Sequence, residues 1–217
     1  MAPARRLTLS FDNGPAPGTT PWVLRQLAAR DLPATFFPVG TQLLEPRGRE
    51  TLEQVAAAGH RIGNHSTTHT TPLGDDPGPD AVRREIADMQ DLLGDLAGPE
   101  KLFRPFGGGG VLGPHLFSRD ALAHLTAQQY TVVLWNSVPR DWEDPAGWPA
   151  RALADIAAQP WTVLVLHDIV PRAMEHLPAF LDEVAARGVE VVADFPDACV
   201  PVRRGVVQGD LAPLTSP

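Results

Sequence analysis

The sequence predicts an α/β fold built on parallel strands, either a (β/α) barrel or an open sheet. Three observations predict it. Short runs of strand period alternate about seven times with segments of helical period. No linker or shift of composition separates these units. The polar, chemistry-bearing side chains also fall repeatedly just after a strand, where the loops of a parallel barrel all rise from one face. A chain of 217 residues with 43% hydrophobic content suits one domain with a sizeable core. Residues 1–217 therefore read as a single domain, with 201–217, where Pro and Gly are scattered, as a C-terminal tail over the surface.

In chain order, Leu7, Leu9 and Phe11 alternate with Thr8 and Ser10, which is strand period. The period then changes. Thr19 or Thr20 caps a helix with Pro21 at its first position, and Val23, Leu24, Leu27 and Ala28 form its apolar face up to about Arg30. ATFFPV, residues 34 to 39, reads as the second strand, and Arg47 to Ala58 as a helix closed by Gly59. A short strand at Arg61-Ile62 precedes a polar loop and a strong helix with Val82, Ile86, Met89, Leu93 and Leu96 on one face, stopped by Gly98-Pro99. A strand near Leu102-Phe103, a Gly-rich loop and a helix from Ser118 with Leu122 and Leu125 inside come next. TVVLW, residues 131 to 135, leads to a helix around Trp148 to Ala158. VLVL, residues 163 to 166, leads to a helix with Met174, Leu177, Leu181 and Val184 inward, ended by Gly188, and Val189 to Val192 is the last strand.

Net charge of −8 repels phosphate backbones and anionic lipid, and the densest basic stretches are the pairs Arg5-Arg6, Arg83-Arg84 and Arg203-Arg204. Neither a nucleic acid nor a membrane is an expected partner. The one cysteine, Cys199, has no intramolecular partner and reads as a small buried side chain. MAPARRLTLSF has no apolar stretch of signal-peptide length before the first strand, and no run approaches a membrane span. The expected location is the cytoplasm.

Five polar clusters close strands: Asp12-Asn13, HSTTH at 65 to 69, Arg104, Asp141-Trp142 and His167. His65 and His69, four apart, can bring two imidazoles to one point, a spacing suited to a transition metal. A hydrolytic zinc site wants three protein ligands and an open position, so one more donor is needed. Asp12 and Asn13 offer it: one could hold the metal while the other accepts a proton from water. His167 then stands as general acid, and Asp141 as the carboxylate that holds a charged partner, either His167 or Arg104. Trp22 and Trp148 lie on helices and read as core, and His60, His115, His124 and His176 as structural or surface residues.

SFDNGP, HSTTH, FRPFG, RDW and VLHD occur in an order that resembles the polysaccharide deacetylases, carbohydrate esterase family four, over about residues 5 to 195. The resemblance implies a distorted (β/α) barrel of about seven parallel strands and a single catalytic domain. It implies metal-dependent hydrolysis of N-acetyl, and sometimes O-acetyl, groups on chitin, peptidoglycan or related sugars. Relatives in the same superfamily cleave formamides, ureides and cyclic imides. Residue by residue, it implies Asp12 as catalytic base, Arg104 as the group orienting it and His167 as general acid. It also implies Asp141 as the supporting carboxylate, His65 and His69 as metal ligands, and Trp142 as a groove wall. The implied cofactor is a divalent metal, zinc first, with cobalt, manganese or nickel as alternatives.

The sequence departs from the family pattern in informative places. Asn13 stands where a metal-binding Asp is usual, which weakens the expected metal affinity because an amide oxygen is a poorer donor than a carboxylate. Phe106 replaces the usual Tyr, and Gly107 opens a run of four glycines at 107 to 110 that is expected either to admit substrate close to the backbone or to be no more than a flexible turn. Val138 replaces an additional Asp, and Val165 stands where a Leu lines the acetyl pocket. The expected substrate is an acylated amino sugar or chitooligosaccharide. The alternatives are a small non-sugar amide, formamide or imide, or a sugar-binding relative without catalysis.

Overall fold

The computed structural model describes residues 4–217, so Met1 to Pro3 of the N-terminal stretch read for an export signal lie outside the described residues. Strand β1 (Arg6–Asp12) is the centre of the fold. Its alternation sends Leu7, Leu9 and Phe11 into a core cluster shared with helix residues such as Val23, Leu27 and Phe180. The other face, Thr8, Ser10 and Asp12, is almost fully buried as well and looks into the barrel, where Ser10 and Asp12 meet Arg104. A strand covered on both faces is usually apolar throughout, so the polar residues on the axis side of β1 need partners, and Thr8 finds the Asp194 carbonyl while Ser10 and Asp12 find Arg104.

One edge of β1 pairs along its whole length with β6 (Trp161–His167), which places Asp12 directly beside His167. Its other edge is divided: β2 (Thr35–Phe37) pairs with Ser10 to Asp12, and β7 (Glu190–Val191) with Arg6 and Leu7. Beyond β2 lies β3 (Arg61–Ile62). A second sheet starts with the parallel pair β4 (Leu102–Phe103) and β5 (Thr131–Val132). Two isolated parallel bridges join the sheets, Asn64 to Phe103 and Ser137 to Leu164. Through them the order β1-β2-β3-β4-β5-β6 returns to β1. This is the expected distorted barrel of seven parallel strands, and the distortion has a visible origin. Two of its seams are single bridges, and the seventh strand is wedged beside the start of β1.

Helices α1 (Thr20–Ala28), α3 (Gly48–Ala57), α6 (Arg119–Ala127), α7 (Trp148–Ala158) and α9 (Leu177–Ala186) follow the predicted periodicity; the short α2 (Gly40–Leu44), α4 (Pro79–Val82), α5 (Asp88–Leu93) and α8 (Pro171–Met174) are the others among the described residues. The predicted strong helix is real but not uniform. It runs as α4 (Pro79–Val82), a π-helical turn at Arg83–Ala87 and α5 (Asp88–Leu93), with Val82, Ile86, Met89 and Leu93 all buried. On α6, Ala121 and Leu125 are the fully buried pair, and Leu122, expected inside, is half-buried. The fifth strand is shorter than TVVLW because Leu134 N–H turns away to the Cys199 carbonyl at 2.8 Å. Cys199 is buried and free.

The segment from Pro201 does more than cover the surface. β8 (Val202–Arg203) adds antiparallel to β5 and turns back through β9 (Val206–Val207), with Val202 fully buried in the second sheet. Two-residue strands fall below what periodicity can reveal, and only the partner strand defines them. Among the described residues, no helix is long and apolar enough to cross a membrane.

Candidate active site

Asp12, Asn13, His65, His69 and His167 line one cleft of about 250 Å³ at the C-terminal ends of the strands. Residues up to 155 positions apart in sequence are brought together by register, since Asp12 and His167 are paired neighbours on β1 and β6.

Asp12 is 3% exposed, and Arg104, fully buried on the segment after β4, donates from Nη1 to Asp12 Oδ1 at 2.7 Å. The same Nη1 donates to Ser10 Oγ at 2.7 Å, and Ser10 donates onward to the Leu164 carbonyl at 2.7 Å. The guanidinium lies over the Phe37 ring, 4.1 Å from its centroid. A buried carboxylate is tolerable only when paired, and here the pairing also fixes which oxygen is engaged. Oδ1 is held and Oδ2 faces the cleft side, 3.5 Å from His65 Nε2.

Asp141 holds His167 and not Arg104. Its Oδ1 lies 2.7 Å from His167 Nδ1 and its Oδ2 accepts the His167 main-chain N–H at 2.8 Å. A carboxylate accepts, so Nδ1 carries the proton and Nε2 is left for the cleft. Burial, the largest single influence, disfavours a charged imidazole, yet the Asp141 hydrogen bond and the charges of Asp141 and Asp12 outweigh it and raise the His167 pKa above its ordinary value. Trp142, 37% exposed, meets His167 edge-on with ring centroids 4.9 Å apart.

His65 Nδ1 lies 2.8 Å from the Arg104 carbonyl, which can only accept, so Nδ1 is the protonated nitrogen and Nε2 keeps its lone pair. Burial pushes the pKa of His65 and of His69 down to about 3, so both rings are neutral at neutral pH. Their centroids are 4.8 Å apart, and Phe106 packs on His69 at 4.0 Å. Phe106 therefore serves the His69 ring as well as the cleft wall.

The opposite wall is apolar and tight. A Cβ on Gly107 would lie 2.5 Å from the Trp135 ring, and one on Gly110, which has φ 86°, would lie 2.9 Å from Val138. Trp135 Nε1 donates to the Gly110 carbonyl at 2.8 Å. Close approach thus requires Gly107 and Gly110, while Gly108 at φ 52° and Gly109 at φ 100° meet no tight contact and are favoured by their left-handed backbone. Val165, 4% exposed, lies in the same cleft.

Residues 2–133 match the family model described as polysaccharide deacetylase. The chain belongs to the polysaccharide deacetylase family. It is 30% identical to a chitooligosaccharide deacetylase of Bradyrhizobium sp. strain ANU 289 over 181 residues, 79% of this chain and 74% of that protein. It is 31% identical to the peptidoglycan-N-acetylglucosamine deacetylase of Bacillus cereus over 142 residues, 64% of this chain and 61% of that protein. Among solved structures, the peptidoglycan deacetylase PdaC from Bacillus subtilis superposes with a TM-score of 0.69 at 28% identity, covering 87% of each chain.

Polysaccharide deacetylases are generally metal-dependent. Among the described residues, no three His, Cys, Asp or Glu side chains are grouped to hold a metal ion. Asn13 Oδ1 is buried without a hydrogen-bond partner, on a residue with φ 70°, a conformation Asn tolerates. The bare Nε2 of His65 faces Asp12 Oδ2 at 3.5 Å with no proton to share, two electron-rich atoms that a cation would reconcile. Two neutral imidazoles, an orphaned amide oxygen and an adjacent carboxylate fit a divalent cation.

Several residues of the site escaped the sequence reading. Asp168, fully buried next to His167, accepts from Thr20 Oγ1 at 2.5 Å, and Thr20 Oγ1 in turn accepts the Ala16 N–H at 2.8 Å. Gly14 packs against this carboxylate so closely that a Cβ would collide with it. Burial lifts the Asp168 pKa to about 6. Ser10 carried a signal, being two residues before Asp12 on the same strand face. Trp135 ended a strand already recognised. Thr20 was read only as a possible helix cap and Asp168 only as the last residue of VLHD.

Proposed function

We propose that this chain hydrolyses an amide-linked acyl group, removing N-acetyl groups from an amino sugar or chitooligosaccharide. The observation that carries the reading is the juxtaposition of two separately supported groups, Asp12 on Arg104 and His167 on Asp141, across one strand pair. His65, His69 and Asn13 would hold the cation, zinc before cobalt, manganese or nickel, with affinity lowered by the amide donor at Asn13. When bound, it supplies Lewis acidity toward water and the acyl carbonyl. Asp12 takes the proton of the attacking water, its free Oδ2 facing the cleft side. Asp141 keeps His167 Nδ1 protonated, so the proton given to the departing amine comes from Nε2 of the imidazolium. The acyl group leaves as a carboxylate and the amine leaves protonated. Main-chain N–H groups of residues 107–110 are the candidates to receive the oxyanion. Val165 and Trp142 flank the acyl group and the sugar face, respectively.

A screen of acetylated chitooligosaccharides with each metal added in turn, repeated with chelator, tests this reading. Deacetylation that chelator stops supports it, and no release of acetate from any oligomer with any metal overturns it. One observation favours a second substrate class, a small non-sugar amide, formamide or imide. Apart from the reacting residues, the cleft walls are Pro, Phe, Gly, Trp, Val and Ile, and the Trp135 N–H is already used. Formamides and cyclic imides in the same screen decide between the two.

A further inference from the structure

Of the three residues between His65 and His69, Ser66 and Thr68 are held by side chains that neither touch substrate nor ligate. Glu85 is 3% exposed, and its Oε2 accepts the Thr68 main-chain N–H at 2.9 Å while its Oε1 accepts the Thr68 hydroxyl at 2.8 Å. Arg84 Nε adds a third donor to Oε1 at 2.9 Å. One residue further along, the Ile86 carbonyl accepts from Asn64 Nδ2 at 2.9 Å, and Asn64 Oδ1 accepts the Ser66 N–H at 3.0 Å. Both anchors come from the π-helical turn Arg83–Ala87. Such a turn inserts one residue into an α-helix, shifts the facing of the residues after it, and often marks a functional position.

Burying a carboxylate costs free energy unless hydrogen bonds compensate it. Here that carboxylate is spent on a loop too short to carry a core of its own. The loop also holds two left-handed residues, Ser66 at φ 72° and His69 at φ 54°, conformations that persist only when the surroundings enforce them. The geometry points to Glu85, acting through Thr68 and seconded by Asn64, as the positioning residue that sets the relation between the His65 and His69 rings for the cation. The inference rests on the reading of those two histidines as ligands. It assigns the π turn a purpose: it brings Glu85 and the Ile86 carbonyl to the same loop at once.

The test is metal affinity without turnover, by chelator competition with Zn²⁺ and Co²⁺ on the full chain. We expect Glu85→Ala to weaken binding about 10- to 100-fold, the usual range for loss of an outer-shell partner. Thr68→Val, which removes the hydroxyl and keeps the main-chain N–H bond, should weaken it less, and the isosteric Glu85→Gln should recover most of the loss. The Co²⁺ absorption bands of Glu85→Ala should shift, reporting altered ligand geometry, which a merely less stable protein would not show. Unchanged affinity and bands in Glu85→Ala, or in Thr68→Val should Glu85→Ala fail to fold, overturn the inference alone. A wild type that binds neither ion overturns the ligand reading and the inference together.

Discussion

The two walls of the cleft are built by opposite means. On one, Asp12, His65 and His167 are each fixed by a buried hydrogen bond to Arg104 Nη1, the Arg104 carbonyl or Asp141, at 2.7 to 2.8 Å. On the other, residues 107–110, Trp135, Val138 and Val165 meet by close packing, and the main polar contact is a tryptophan N–H on a backbone carbonyl. The difference separates two tasks. Directional bonds in a water-poor setting fix proton positions and pKa values, which the reaction depends on. Packing fixes shape, which decides what enters. Damage to the first wall should therefore fall on kcat and its pH profile, and damage to the second on KM and substrate choice.

The largest expected effect is on the first wall. Asp12→Asn keeps the Arg104 contact sterically but removes the base, and kcat should fall about 10³- to 10⁴-fold with the circular dichroism spectrum unchanged. Activity within tenfold of wild type would remove Asp12 from the mechanism. Beneath that wall, Asp168 offers a stability test. Its pKa is raised to about 6 in the fold from 3.8, so the folded state holds the proton more tightly than the unfolded chain. Stability should then fall as pH rises from about 4 to about 6, by about 3 kcal/mol, and level off above. Denaturant unfolding of Asp168→Asn across this range should lack that slope.

Asp141→Asn should lower kcat about ten- to hundredfold. It should also move the alkaline limb of the rate profile to lower pH, because His167 loses the partner that holds its pKa up. An unmoved limb would assign the titration to another group. The smallest effect belongs to the apolar wall. Gly110→Ala should raise KM several-fold and leave kcat within about threefold, and Val138→Ala in the same chain should restore part of the loss by relieving the contact. If Gly110→Ala instead lowered kcat as strongly as Asp141→Asn, the division of labour between the walls would be wrong.

Much of this was legible in the residues. Period-two alternation in β1 and VLVL in β6 marked the two central strands, and the five polar clusters marked the rim that carries the candidate site. The helix of Val82, Ile86, Met89 and Leu93 was legible as a face, but its π turn was not, because those residues keep the three- and four-residue spacings of an uninterrupted helix. The hairpin β8-β9 was read as a tail, because strands of two residues have no period. The glycine run was recognised without the packing that demands its two ends, the Trp135 ring against Gly107 and Val138 against Gly110.

By itself, the sequence determined the parallel α/β architecture, the candidate reacting groups and the rim on which they sit, since these depend on local period and on residue type at strand ends. Arg104 with Asp12 was implied by the resemblance; the tertiary structure alone decided the other pairs, Asp141 with His167, Glu85 with Thr68 and Asp168 with Thr20. Such pairs join residues from 17 to 148 positions apart, where local patterning carries no signal. They form because a buried charge must find its partner wherever register and packing bring one within hydrogen-bond reach.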